Sequence, residues 1–204
     1  QVVAEVFQVD IDRVQITANF DGSEILIYGA VKRDAPAPTD APLEVIVTVE
    51  GPSTPLVIRR KEKVAGIWLN RSSVTIDAAP SFYAVATTDK LDKILSGTED
   101  LRHHITIPHA IRAVGISAEA ANSPDFIEAL QRIRLNEDRY RVAEGTVQLA
   151  EETLFRTDVA LPANLTEGNY MVRMFIMRGG RVIDSVGLQG LGFAAAGLIL
   201  MSIL

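Results

Sequence analysis

Residues 14–20 alternate apolar and polar, the period-two signature of a strand with one face in a core. Asp21-Gly22 marks a turn, and the mostly apolar stretch 24–31 predicts a central strand. Residues 34–42 hold three prolines and no aromatic, and read as an exposed loop. Alternation resumes over 43–50, with Val45, Val47 and Val49 on one face, until Gly51-Pro52 ends it. Further short strands are predicted at 55–61, 66–69, 73–76 and 81–87. Short strands with turn signals at this spacing predict an immunoglobulin-like or related β-sandwich.

The period then changes. Leu91, Ile94 and Leu95 fall at helical spacing, and 108–114 reads as a further helical turn or two. Ser123-Pro124 pairs a cap residue with proline at the first helical position. Phe126, Ile127, Leu130, Ile133 and Leu135 then follow one face, through about residue 141. Together these predict a helical insertion at about 88–142. Strands return at 146–149, 154–161 and 169–177, and Gly179-Gly180 signals a hairpin. The expected fold is mainly β: a sandwich domain over 1–185 carrying the helical insertion.

The last 19 residues, 186–204, contain no charge, and only Gln189 and Ser202 are clearly polar. A helix of that length spans about 28 Å, close to the roughly 30 Å of a bilayer's hydrocarbon. A C-terminal transmembrane helix over 186–204 is therefore expected, with a buried core helix as the alternative. Glycines are poor residues for a soluble helix. In a membrane, Gly190, Gly192, Ala196 and Gly197 would let a neighbouring helix approach closely, Gly192 and Ala196 at small-xxx-small spacing. The start, Gln1-Val2-Val3-Ala4-Glu5, has no basic n-region, as expected of a terminus left after signal-peptide cleavage.

Cysteine is absent, which removes disulfides, thiol catalysis and cysteine-based zinc sites from consideration. A net charge of −6 excludes a general nucleic-acid binder, which needs clustered Lys and Arg.

The chemistry-bearing residues are sparse. His103, His104 and His109 are the only histidines, and their spacing is poor for converging on one metal. They read as polar residues of a surface loop. No G-x-S-x-G elbow and no phosphate-cradling glycine loop is present. The carboxylate pairs Asp10/Asp12 and Glu151/Glu152 read as solvated strand ends. No catalytic residue, cofactor or metal is expected, and the chain is expected not to be an enzyme. One feature stands apart: Arg59, Arg60, Lys61 and Lys63 are four cations in five residues of an acidic chain. Arg59, Lys61 and Lys63 share a strand face. The run meets anionic headgroups or an acidic partner, or else guards an edge strand against aggregation. Trp68, the only tryptophan, is either core or an interface anchor.

Three segments carry a resemblance: ITANFDGSEILIYGA at 16–30, RRKEKVAGIWLNRSSVTIDAAPSFYAVAT at 59–87, and LFRTDVALPANLTEGNY at 154–170. They resemble the alphaproteobacterial putative transmembrane protein family over most of 10–186. The resemblance implies a signal peptide, a β-rich extracytoplasmic domain, one C-terminal span and a short basic tail. The chain departs from this at its start and beyond residue 186. The resemblance gives a location, the bacterial inner membrane with the main domain periplasmic, and no reaction. The functional expectation is a membrane-anchored accessory or interaction protein, in contact with the bilayer and docking on an integral-membrane protein partner. The alternatives are a periplasmic solute-binding helper of a sulfite-exporter-type permease, and a periplasmic hydrolase.

Overall fold

The computed structural model describes residues 10–19, 24–32, 41–111, 123–151, 153–162, 166, 168–194 and 197–199. Three sheets organise them. The first, in the order β1-β2-β9-β8, joins β1 (Asp10–Asn19), β2 (Glu24–Lys32), β9 (Leu154–Ala160) and β8 (Gln148–Ala150). The second, in the order β12-β11-β10-β3-β6-β7, joins β12 (Gly197–Ile199), β11 (Arg181–Ala194), β10 (Gly168–Arg178), β3 (Leu43–Glu50), β6 (Tyr83–Thr87) and β7 (Tyr140–Ala143). The third is a hairpin of β4 (Ser53–Val64) and β5 (Ile67–Pro80). Between β6 and β7 lie α1 (Leu91–Ile94), α2 (Gly97–His103), α3 (Ile107–Ala110) and α4 (Ser123–Asn136).

The centre of the six-stranded sheet is buried on both faces, and β3 shows why. Val45, Val47 and Val49 enter one core, with Ile25 and Ile27 of β2, Phe155 of β9, and Val172, Met174 and Ile176 of β10. Ile46, between them, enters a second core with Phe175 and Met177 of β10, Val74 and Ile76 of β5, and Phe126 and Leu130 of α4. The helices and the base of the β4–β5 hairpin thus form a third layer. Alternation in β3 marks two apolar destinations rather than one core and solvent; even Thr48 is fully buried. Of the stripe expected on α4, Phe126 and Leu130 are buried, while Ile133 and Leu135 are exposed.

A close approach ties the first sheet together. Gly29 lies opposite Phe155 across the β2–β9 pair. The ring fills the space above the glycine, so that a Cβ there would sit 2.5 Å from ring carbon Cζ.

Two expectations are corrected. The stretches 55–61, 66–69 and 73–76 are not separate short strands but one long hairpin. Ala65 and Gly66, with φ of 49° and 87°, make its two-residue turn, and the left-handed conformation at both suits a type I′ reversal. The polar stretch around residue 71 is not a break. Arg60 pairs with Ser72 and Lys61 with Asn70, leaving position 71 as an extra bulge residue.

The second correction concerns the tail. Where a transmembrane helix was expected over 186–204, β11 runs on to Ala194 and β12 follows at its edge. Gly190, Gly192 and Gly197 therefore sit on strands, and Ala196 falls outside the described residues. The cause is the available partner. The Gly179-Gly180 turn, both residues at positive φ, starts a hairpin whose register runs from Arg178↔Arg181 to Gly168↔Phe193. Each strand glycine would cost about 1 kcal/mol relative to alanine in a helix. Among the described residues no helix is long and apolar enough to cross a membrane.

Candidate functional site

Two places bring polar or unpartnered groups together. The first is the outer half of the β4–β5 hairpin. Its base is anchored: Leu56 and Ile58 of β4 and Val74 and Ile76 of β5 pack into the second core. Beyond Ile58 the arm leaves that support. From Arg59 to Val64 it extends about 17 Å at about 3.4 Å per residue. Ile67 and Trp68 are each 65% exposed. Leu69 and Val64 are exposed beside them, and Arg59, Arg60, Lys61 and Lys63 are exposed along the opposite strand.

The register assigns these side chains to faces. Lys63 pairs with Trp68 and Lys61 with Asn70, which puts a cation beside the indole. Val64 pairs with Ile67 and Glu62 with Leu69 on the other face. Arg60 lies 3.9 Å from Asp125 of α4, an ion pair exposed on both sides and therefore weak. The sequence-predicted residues Arg59, Arg60, Lys61, Lys63 and Trp68 are thus gathered on one projecting element. Trp68 is not a core residue.

The second place is a buried polar cluster that ties α2 and α3 to the six-stranded sheet. Ser96 caps α2 by accepting from the backbone N–H of Glu99, and His104, at φ 51°, closes it in the left-handed conformation. Arg173 of β10 reaches the end of that helix. Its guanidinium donates to the carbonyl of His103 at 2.7 Å and to that of His104 at 3.1 Å. It also donates to the Tyr83 hydroxyl at 3.1 Å and lies 5.4 Å from the centre of the Phe175 ring. Tyr83 in turn donates to the carbonyl of Ile105 at 2.8 Å. Burial, partly offset by Arg173, pushes the Tyr83 hydroxyl up to about 12, so it stays a donor.

Asp100 organises the loop that follows. One carboxylate oxygen accepts the backbone N–H groups of Ile105 and Thr106, at 3.1 and 2.8 Å. The other accepts the Thr106 hydroxyl and His109 Nδ1, each at 2.7 Å. Burial acts to raise its pKa, but the bonds from Thr106 and His109 together outweigh it and hold the carboxyl below its ordinary value. The histidines are therefore placed by helices, His103 beside Glu99 and His109 beside Asp100, rather than by a surface loop. Among the described residues, no three His, Cys, Asp or Glu side chains gather as metal ligands would.

Sequence reasoning missed this cluster. Arg173, one polar residue on an apolar strand, gives no sign in the sequence that it faces the helical layer. Ser96-Gly97-Thr98-Glu99 has the S-x-x-E spacing of a capped helix start and was the available signal for α2. Arg156, on β9, lies outward instead and pairs with Asp158 at 3.5 Å. Asp10 and Asp12 stand on β1, and Glu151 lies in the turn before β9 at φ 49°. Residue 152 falls outside the described residues.

Neither a curated protein nor a solved structure matches the chain. A family model described as "Putative transmembrane protein (Alph_Pro_TM)" matches residues 5–189, which takes in the hairpin arm, the polar cluster and both cores. That match covers most of the chain, and the protein belongs to this family, in agreement with the resemblance carried by its sequence.

Proposed function

We propose that the protein is a non-catalytic accessory protein working at a membrane surface, on the periplasmic side, where its β-rich domain docks on an integral-membrane partner. The observation that carries this reading is the β4–β5 arm. An exposed Trp, Ile and Leu beside four cations is costly decoration for an idle surface, because exposed apolar residues gathered in one place mark interaction sites. Family membership supports the membrane location. A sandwich of the immunoglobulin-like kind suits the role as a rigid body that displays a contact element. The polar cluster supports a structural rather than a chemical reading, since the Asp100 carboxylate and the terminal nitrogens of Arg173 bond a loop and a helix end.

The test is purification of the tagged full-length protein from native membranes in mild detergent. Arg60 and Ser72 are already cross-strand partners, so an Asn-Gly turn replacing residues 61–71 removes the arm while keeping the hairpin base. A stoichiometric integral-membrane protein, retained by the parent and lost from the arm-less variant, is the expected result. Recovery of the protein alone overturns the reading.

A further inference from the structure

We infer that the tip of the β4–β5 arm seats in the headgroup region of an anionic lipid bilayer, with Trp68 and Ile67 at the acyl boundary and Lys61 and Lys63 on lipid phosphates. The inference rests on the membrane-surface reading above and names what the arm touches.

The argument begins with charge. Residues 59–71 hold five cations, Arg59, Arg60, Lys61, Lys63 and Arg71, against the single carboxylate of Glu62. The segment is therefore at +4 within a chain whose total is −6, so the remainder carries −10. An anionic surface attracts the arm and repels the body, which orients the molecule tip-first.

Geometry adds depth. The apolar residues occupy the end of the arm: Val64, Ile67, Trp68 and Leu69 flank the Ala65-Gly66 turn. Along β4, Lys63 stands level with Trp68, Lys61 lies two residues further back, and Arg59 and Arg60 are nearest the body. An apolar tip followed by lysines matches the order of layers met on entering a bilayer, acyl boundary last and phosphates before it. Tryptophan is enriched at that boundary, where its ring is apolar and its N–H wet. Lysine stems lie along apolar surface while the ammonium stays at the phosphate level. Lys63 faces Trp68 directly, so a cation stands beside the indole at the tip.

Trp68 is the only tryptophan of the chain, so its fluorescence reports on the arm alone. The full chain is titrated with vesicles of phosphatidylcholine mixed with phosphatidylglycerol, and with phosphatidylcholine alone. The expected result is a blue shift with the anionic vesicles, quenching by brominated acyl chains, and loss of both at high salt. Lys61→Gln with Lys63→Gln is expected to weaken binding about 25-fold at low salt, about fivefold per cation. The variant's circular dichroism should match the parent's. An unshifted Trp68 in the presence of anionic vesicles overturns the inference. So does vesicle binding that leaves Trp68 unquenched or survives the double substitution, because another surface then makes the contact. If vesicles fail but the arm-less variant loses its membrane partner, the arm binds protein and only the lipid contact is wrong. If both fail, the membrane-surface reading falls with it.

Discussion

Lys63 and Trp68 stand directly opposite one another across the β4–β5 hairpin, one residue pair below the Ala65-Gly66 turn that reverses the chain. Side chains opposite each other in an antiparallel pair share a face, so the cation and the indole act as one contact unit. Their placement depends on a turn made partly by the wrong residue. Both central positions need positive φ, and Ala65 takes it at 49° without glycine's freedom.

Ala65→Asn is therefore expected to stabilise the hairpin. Left-handed backbone costs an ordinary L-residue about 1–2 kcal/mol, and Asn-Gly is the preferred pair for this turn. A gain of about 0.5–1 kcal/mol is expected from urea denaturation, with the denaturant slope unchanged. No gain would mean that the turn is not the type I′ reversal described.

The β2–β9 pair offers a steric counterpart. A methyl group at Gly29 would lie 2.5 Å from Cζ and 2.7 Å from Cε1 of Phe155, whose ring is 1% exposed and cannot swing away. Gly29→Ala is expected to cost about 1–3 kcal/mol by overpacking. Combining it with Phe155→Leu should cost less than the two single changes together, because the smaller side chain makes room. Strict additivity in a double-mutant cycle would show that ring and glycine do not share the space.

Much of the fold was legible wherever its cause was local. Gly179-Gly180 announced its hairpin because turn chemistry needs only neighbouring residues, and the apolar alternation of 43–50 fixed β3. The arm was not legible. Asn70 and Ser72 look like a loop, and only pairing with Lys61 and Arg60 makes them strand. β7 was hidden because α4 ends without a glycine signal; Asp138 turns the chain at φ 55° instead. The tail misled because a membrane helix and a sheet strand draw on the same apolar residues, and only the register with β10 separates them. Of the candidate site, the charge at Arg59–Lys63 could be read from composition. The exposure of Trp68 could not, since it depends on how far the hairpin outruns the layer beneath it.

Arg173 is expected to matter more for stability than its half-buried position on a strand suggests. Removing it leaves the carbonyls of His103 and His104, at the end of α2, without their charged donor. Arg173→Met is expected to cost about 2–3 kcal/mol, and Tyr83→Phe about 1–2 kcal/mol, since its hydroxyl bonds both the Ile105 carbonyl and the Arg173 guanidinium. Hydrogen exchange localises the effect: amides of α2 and of Ile105 should lose protection before those of β3. Uniform loss across the sheet would argue against a local role.

Asp100 gives the fold an acid-sensitive joint. Its carboxylate accepts from Ile105, Thr106 and His109. Burial acts to raise its pKa, but the bonds from Thr106 and His109 hold it below the ordinary 3.8. A group depressed on folding contributes its full stability above the unfolded value and loses it as pH falls through the folded one. The contribution is thus complete at neutral pH, begins to fade below about pH 4, and is gone once Asp100 protonates in the native state. Asp100→Asn removes the charge and is expected to cost about 1–3 kcal/mol near pH 7. Urea midpoints of parent and variant should converge as pH drops below the ordinary carboxylate range. A gap that stayed constant down to acid unfolding would show that the charge of Asp100 does not hold the 104–109 loop, and that the asparagine acts only through its shape.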